Sequence, residues 1–413
     1  MRRERLTRAL RRAAALLLAL ALLPQARAGI VDAPGDALEI ALVTYGPGAI
    51  YWERFGHDAI EVRDTASGEA VAFNYGVFDF EQENFLLNFA RGYMIYRMDA
   101  VPAAADAAYY ASEGRRVTRQ TLALTPAQRA ALRDFLLWNV QPAHTRYRYE
   151  YFTDNCTTRV RDALDRVLGG AIHRQTQAPS HGFTYRMHTD RLLAPQPALM
   201  LLVDLGLGPD ADRRLSYWDE SFVPMVLMRV LREVQVPDGH GGTQPLVMRE
   251  TQLDAGRLPA PPALPPDLRL PFLIAALLLG GGLAWAGHRA PVSRGARLAF
   301  ACGGALYASL AGAAGLFMTL LWTVTEHRYA WANENLLLFD PLALLLVPAL
   351  LRLARAGARS SRFARALAAL FALAAGFALF SKILPWFVQQ NLAWIELGLA
   401  LNLALAYGLW RRR

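Results

Sequence analysis

Apolar and polar positions divide the chain into two parts at about residue 258. Beyond it the pattern is blocky. Five apolar runs, residues 270–287, 298–325, 336–351, 363–384 and 392–410, are each near the ~20 residues that an α-helix needs to cross the hydrocarbon core. Before it the periods are short and mixed. Residues 38–44 are aliphatic and β-branched and are closed by Tyr45-Gly46-Pro47-Gly48, the mark of a strand and its turn. Residues 57–63 and 70–75 alternate across the turn at 66–69 and read as a hairpin. Residues 81–91 are helical and amphipathic. Residues 126–138 form a second helix, with Thr125 at the N-cap, Pro126 at the first position and Gln128 three after the cap. Residues 93–98, 115–124 and 147–152 read as extended. Weaker helical patterns cover 183–193, 198–205 and 217–234.

These elements predict an α+β domain over 29–257, with helices packed on a small antiparallel sheet. A proline-rich linker follows over 258–269, then an all-α membrane domain of about five transmembrane helices over 270–413. The start of the chain reads as a signal peptide over 1–28. Arg2, Arg3, Arg5, Arg8, Arg11 and Arg12 precede the apolar residues 13–23, and Ala26-Arg27-Ala28 offers a cleavage site.

Charge sharpens this picture. The chain has 413 residues, 54% of them hydrophobic, and a net charge of +9. Much of the excess lies between the apolar runs. Arg289, Arg294 and Arg297 fill one connection, and Arg352, Arg355, Arg359 and Arg362 fill another. Arg411, Arg412 and Arg413 end the chain. The alternate connections, 326–335 and 385–391, carry almost no positive excess. By the positive-inside rule the 29–257 domain is periplasmic and the C-terminus cytoplasmic, in a multi-pass protein of the bacterial inner membrane. The basicity therefore reads as membrane topology. No basic stretch interleaved with aromatics forms a nucleic-acid motif, so no nucleic-acid partner is expected.

Two cysteines cannot build a framework of bridges. Cys302 lies in an apolar run. Cys156 lies in YFTDNCTTRVRDAL, residues 151–164, where Asp154-Asn155 end an aromatic lead-in and a helical pattern begins. At a helix start, unpaired N–H groups and the dipole favour a thiolate, and Arg159 and Arg161 push the same way. The alternative is a small buried residue at a helix start.

A nucleophilic thiol needs a base and something to orient it. His57, His144, His173, His181, His188 and His240 are available in the domain. His57 opens a strand after Gly56, and Asn74 on the partner strand is placed to bond its far ring nitrogen. The plainer alternatives are a loop histidine and a sheet-end turn residue. Asn155 and the amide of Cys156 are candidates for an oxyanion site. A single thiol without paired histidine spacing argues against zinc, and no metal or cofactor is expected. Tyr45, Arg159 and the outside-loop residues His327, Asn333 and Asn335 are candidate substrate contacts. Aromatic-belt and capping roles are the alternative for that loop.

Three stretches carry a family resemblance: Phe55-Gly56-His57, Phe73-Asn74-Tyr75-Gly76 with Phe78, and Asp154-Asn155-Cys156-Thr157-Thr158-Arg159 with Asp162. With DESFVP at 219–224 and Asn333-Glu334-Asn335, the chain resembles the Lnb-type N-terminal periplasmic domain family over most of 37–230. The family's namesake is a bacterial lipoprotein intramolecular transacylase. The order, histidine strand first and helix-start cysteine later, is similar to the circularly permuted papain-like fold of NlpC-type enzymes and lecithin-retinol acyltransferase. The resemblance implies a permuted papain-like domain in which Cys156 takes an acyl chain from a lipid ester and an amine then attacks the thioester. His57 matches the family's histidine and Cys156 its cysteine, with Asn74 as the third polar group. Membrane lipids or lipoproteins are the implied partners. A thiol hydrolase or peptidase of the cell envelope, a non-enzymatic envelope scaffold and a transporter are the competing readings. Few charges (Asp340, Lys382, Glu396) stand in the apolar runs to support the last.

Overall fold

The structure, a computed structural model, describes residues 29–413, so the signal-peptide reading of 1–28 lies outside the described residues. The first part is built on strands β1 (Leu38–Tyr45), β2 (His57–Asp64), β3 (Ala70–Phe78), β4 (Ile95–Pro102), β5 (Val117–Leu122) and β6 (Arg146–Arg148), a short hairpin of β7 (Gln235–Pro237) and β8 (Thr243–Pro245), and β9 (Val247–Asp254). All but the hairpin join one seven-stranded antiparallel sheet in the order β6-β4-β3-β2-β1-β5-β9.

Strand β1 sits near the middle and is buried along almost its whole length. A strand with both faces covered reads as an aliphatic run, which is why LEIALVTY alternates so little. Around the sheet lie α1 (Phe85–Ala90), α2 (Ala103–Ser112), α3 (Pro126–Asn139) and α4 (Cys156–Val167). On one face Ile40, Leu42, Ile60, Val62 and Phe73 form the main core with α3, α4 and the helix Pro224–Leu231. On the other, Val43, Tyr45, Ala59, Ala72 and Val117 pack under α2.

Several elements depart from their expected form. The helix expected over 81–91 shrinks to α1 and presents its apolar side chains to the outside instead of the core. Only three residues of the aromatic lead-in to Cys156 pair as a strand, since Glu150 and Asp154 close a turn on each other. The expected helix 217–234 is two, because Pro224 starts a new first turn after Glu220. Strand β9 was not expected, and as a solvent-exposed edge strand its sequence VMRETQLD is mostly polar.

Among the described residues four helices are long and apolar enough to cross a membrane, Arg269–Arg289, Arg294–Val324, Arg362–Ser381 and Leu392–Arg411. Counting a broken pair gives five. Over 336–351 the expected single span is a 3-10 segment, Pro341–Leu346, then a short helix, Val347–Arg352, bent by 43° from Arg328–Leu337. Prolines 341 and 348 remove the backbone donors that a continuous helix would need there. Small residues let the spans approach: Gly408 stands against the ring of Phe300 and the backbone of Gly287.

Candidate active site

Helix α4 begins where its sequence dictates. Asn155 caps it: Oδ1 accepts from the Thr158 amide at 2.9 Å, and Thr158 Oγ1 accepts from the Asn155 amide at 2.8 Å. Capping boxes of this kind fix a first turn firmly. Cys156 is therefore held as the first helical residue, half-buried, with its thiol against the backbone amides of Asp58 and Thr157.

The opposite wall is a β-bulge. Pairing of β3 with β4 slips between Asn74 and Val77, and Gly76 sits there at φ +85°. A Cβ on Gly76 would stand 3.1 Å from the Cβ of Cys156. Gly76→Ala is expected to cost about 1–2 kcal/mol of left-handed strain and to push the thiol off its position. Activity should fall further than the melting temperature implies, which parallel thermal and turnover measurements check.

His57, the residue before Asp58, opens β2, and the sulfur of Cys156 meets the Asp58 amide. Tyr110 and Arg115 lie near both side chains. His57 Nε2 is 2.8 Å from Asn74 Oδ1. Asn74 Nδ2 donates to Asp106 Oδ2 at 3.2 Å, and the Tyr45 hydroxyl donates to the same oxygen at 2.6 Å. A carboxylate accepts only, so Asp106 fixes the amide orientation of Asn74. Asn74 Oδ1 then requires the proton on Nε2, which leaves Nδ1 as the basic nitrogen of His57. The imidazole is stacked near Tyr45 and Tyr110, with centroids 5.9 and 5.7 Å away, and cannot swing freely.

Electrostatics correct one expectation. Burial, and then the charge of Asp58, push the Cys156 thiol up to about 11, against the pull of the Thr157 hydroxyl and two amides. Burial and the Arg115 guanidinium push His57 down to about 4. The resting pair is a neutral thiol and a neutral imidazole, because packing outweighs the helix start. The arginines do not reverse this, for Arg159 pairs with Asp154 and Arg161 with Asp162. In a Cys302→Ala background, alkylation of Cys156 by iodoacetamide should be slow at pH 7 and rise steadily above it. Asp58→Asn removes a negative neighbour and should move that rise to lower pH. A rate already at plateau at pH 6 would mean a preformed thiolate.

The remaining expected site residues are placed as follows. Tyr45 is almost fully buried, stacked near the imidazole, and its hydroxyl is taken up by Asp106. Asn155 Nδ2 donates to the carbonyls of Tyr151 and Phe222, both at 3.0 Å, so neither of its hydrogens is left for an oxyanion. Arg159 lies over the Tyr147 ring at 4.2 Å and lines a cavity of about 330 Å³ with Tyr75, Asn139 and Arg166, whose lining does not include Cys156. Asn333 and Asn335 reach carbonyls of residues 205–207 and fasten the outside loop to the sheet domain. His327 lies at the same seam, 3.3 Å from both the Tyr151 hydroxyl and the Ala90 carbonyl.

Sequence reasoning missed Asp106, Asp58 and Arg115. Asp106 is the one acid of the alanine-rich stretch AAADAAYYAS after Pro102, a helix signal that went unread. Asp58 is buried, its carboxyl lifted to about 7 by burial against hydrogen bonds from Thr44 and Thr157. Its Oδ2, the Arg115 Nη2 and the Tyr147 hydroxyl are buried without a protein partner.

Comparison with known proteins finds a match in both parts of the chain. Residues 26–193 match the family model of the Lnb N-terminal periplasmic domain, and residues 295–411 match that of the Lnb transmembrane domain. No curated protein and no solved structure matches.

Proposed function

The chain belongs to the Lnb-type family, and from that premise we propose that it is a membrane-tethered cysteine acyltransferase acting on lipid or lipoprotein esters. What supports this reading is the capped helix-start thiol of Cys156 together with His57, whose Nε2 is held by Asn74 and, through it, by Asp106, with Tyr110 and Arg115 near both side chains. His57 Nδ1 takes the thiol proton as sulfur attacks an ester carbonyl. The Cys156 amide and the unpartnered Arg115 Nη2 are the donors available to the oxyanion. The C–O bond breaks, the glyceryl alcohol leaves with the proton held by His57, and an acyl-thioester remains. An amine then attacks, gives its proton to His57, and the thiolate leaves and recovers it. A neutral pair suits this sequence, since the proton moves only as the bond forms.

The permuted papain-like relationship belongs to the same proposal, supported by histidine on β2 and cysteine opening α4. So does the orientation, with the sheet domain in the periplasm and the arginine-rich connections and C-terminus in the cytoplasm. Purified protein with a diacylglyceryl lipopeptide tests the activity by mass spectrometry. An acyl group gained by the peptide amine is the expected product. Acyl release to water alone would make the enzyme a hydrolase.

A further inference from the structure

Helix α1 is the most exposed apolar element of the periplasmic domain. Leu86 is 79% exposed, Leu87 47% and Phe89 38%, and the preceding Phe80 71%. It is held in place all the same. The Arg91 carbonyl accepts from the Glu326 amide at 2.7 Å. Gly92, at φ +75°, lies so close to the outside loop that a Cβ would stand 2.9 Å from the backbone of Glu326 and His327. Those two residues lie just past Thr325, which caps the span Arg294–Val324. Helix α1 is thus tied to the end of a membrane span that carries exposed Trp322 and Val324, and an aromatic side chain near a span end is the usual mark of the membrane–water interface.

A file of rings leads inward from α1. Phe89 neighbours Phe85 at 6.3 Å, Phe85 neighbours Phe78 at 6.3 Å, Phe78 neighbours Tyr96 at 4.9 Å, and Tyr96 neighbours Tyr149 at 4.2 Å. Tyr96 and Tyr149 are near enough to Cys156 that a charge on its sulfur would raise both hydroxyls, though burial acts on them more strongly.

We propose that α1 inserts its Leu86–Phe89 face into the outer leaflet of the bilayer, and that the rings of Phe85, Phe78, Tyr96 and Tyr149 lead one acyl chain from there to Cys156. Insertion stands on its own. The acyl lane rests on the acyltransferase reading. An apolar face fixed at this depth meets acyl chains by geometry, and flat aromatic walls accept a flexible chain without specific polar contacts.

Two measurements separate the parts. Leu86→Cys in full-length Cys156→Ala, Cys302→Ala protein, carrying a nitroxide, is placed in vesicles of phosphatidylethanolamine and phosphatidylglycerol. Its relaxation should be enhanced by oxygen far more than by a water-soluble nickel chelate. Met248→Cys, on the opposite edge strand β9, should show the reverse. Equal behaviour at the two positions overturns insertion. For the lane, Phe78→Ser with Phe85→Ser should lower the ratio of long-chain to short-chain acyl transfer by about tenfold. An unchanged ratio overturns the lane. Absence of transfer from both donors in the unaltered protein overturns the lane together with the acyltransferase reading, and the nitroxide result still decides insertion.

Discussion

Replacing Cys156 with alanine should remove the proposed acyl transfer, a loss of ~10⁴-fold or more, while the protein keeps its melting temperature within a few degrees. The magnitude follows from removal of the nucleophile, which leaves only binding and oxyanion stabilisation. Stability is spared because the helix start does not depend on the thiol. Asn155 and Thr158 cap it, and the contacts of the sulfur, 3.8 Å to the Thr157 hydroxyl and against the amides of Asp58 and Thr157, take no part in that cap. His57→Ala should fall nearly as far, and the double substitution little further, since thiol and imidazole act as one unit. Turnover of a diacylglyceryl lipopeptide by the three variants, beside thermal unfolding in detergent, reads both quantities. Full turnover in Cys156→Ala would make the thiol structural and favour a scaffold.

Replacing Arg186 with methionine has the largest effect on stability, about 3–5 kcal/mol. Arg186 is buried, and Nε and Nη2 reach Asp212 at 2.9 Å while Nη1 reaches Asp204 at 2.7 Å. Its Nη2 also donates to the Leu207 carbonyl at 2.9 Å. The two acids in turn hold the membrane part: Asp204 accepts from Trp394 Nε1 at 2.7 Å and Asp212 from the Gln390 amide at 3.0 Å. Methionine would leave two buried carboxylates beside Asp190, whose own carboxyl burial and Asp204 already lift to about 8. Thermal unfolding should show the loss. Adding Asp204→Leu and Asp212→Leu should restore part of it, since the cost lies in the uncompensated charges. A melting temperature unchanged in Arg186→Met would show that the cluster does not hold the two parts together.

Local signals carried much of the architecture. The hairpin of β2 and β3, the Thr125–Gln128 capping box and the helix opening at Cys156 each depend on residues close in sequence, so their patterns survive in the chain. The spans were legible because lipid demands long apolar runs, and the weakest run is the one the structure breaks. What was hidden depends on distant residues or on burial. Asp106 gains its role only when α2 folds over β1 and β3. Arg186, Asp204 and Asp212 are separated by loops and meet only in the folded core. The thiolate expectation weighed the dipole and the arginines but could not weigh desolvation, nor the acids that occupy those arginines. Helix α1 has a core-like pattern, and only its tie to Glu326 and His327 shows that it faces outward.

In the proposed cycle Cys156 carries the acyl group, and that group can be weighed on the protein. Full-length protein is incubated with a diacylglyceryl lipopeptide, quenched in acid and digested with trypsin. The peptide Tyr149–Arg159, which contains Cys156, is then weighed. A gain in mass equal to one acyl chain, removed by neutral hydroxylamine and absent in His57→Ala, is the predicted result. Transfer of the acyl chain to the amine with this peptide unmodified throughout, and with the same rate in Cys156→Ala, would contradict it.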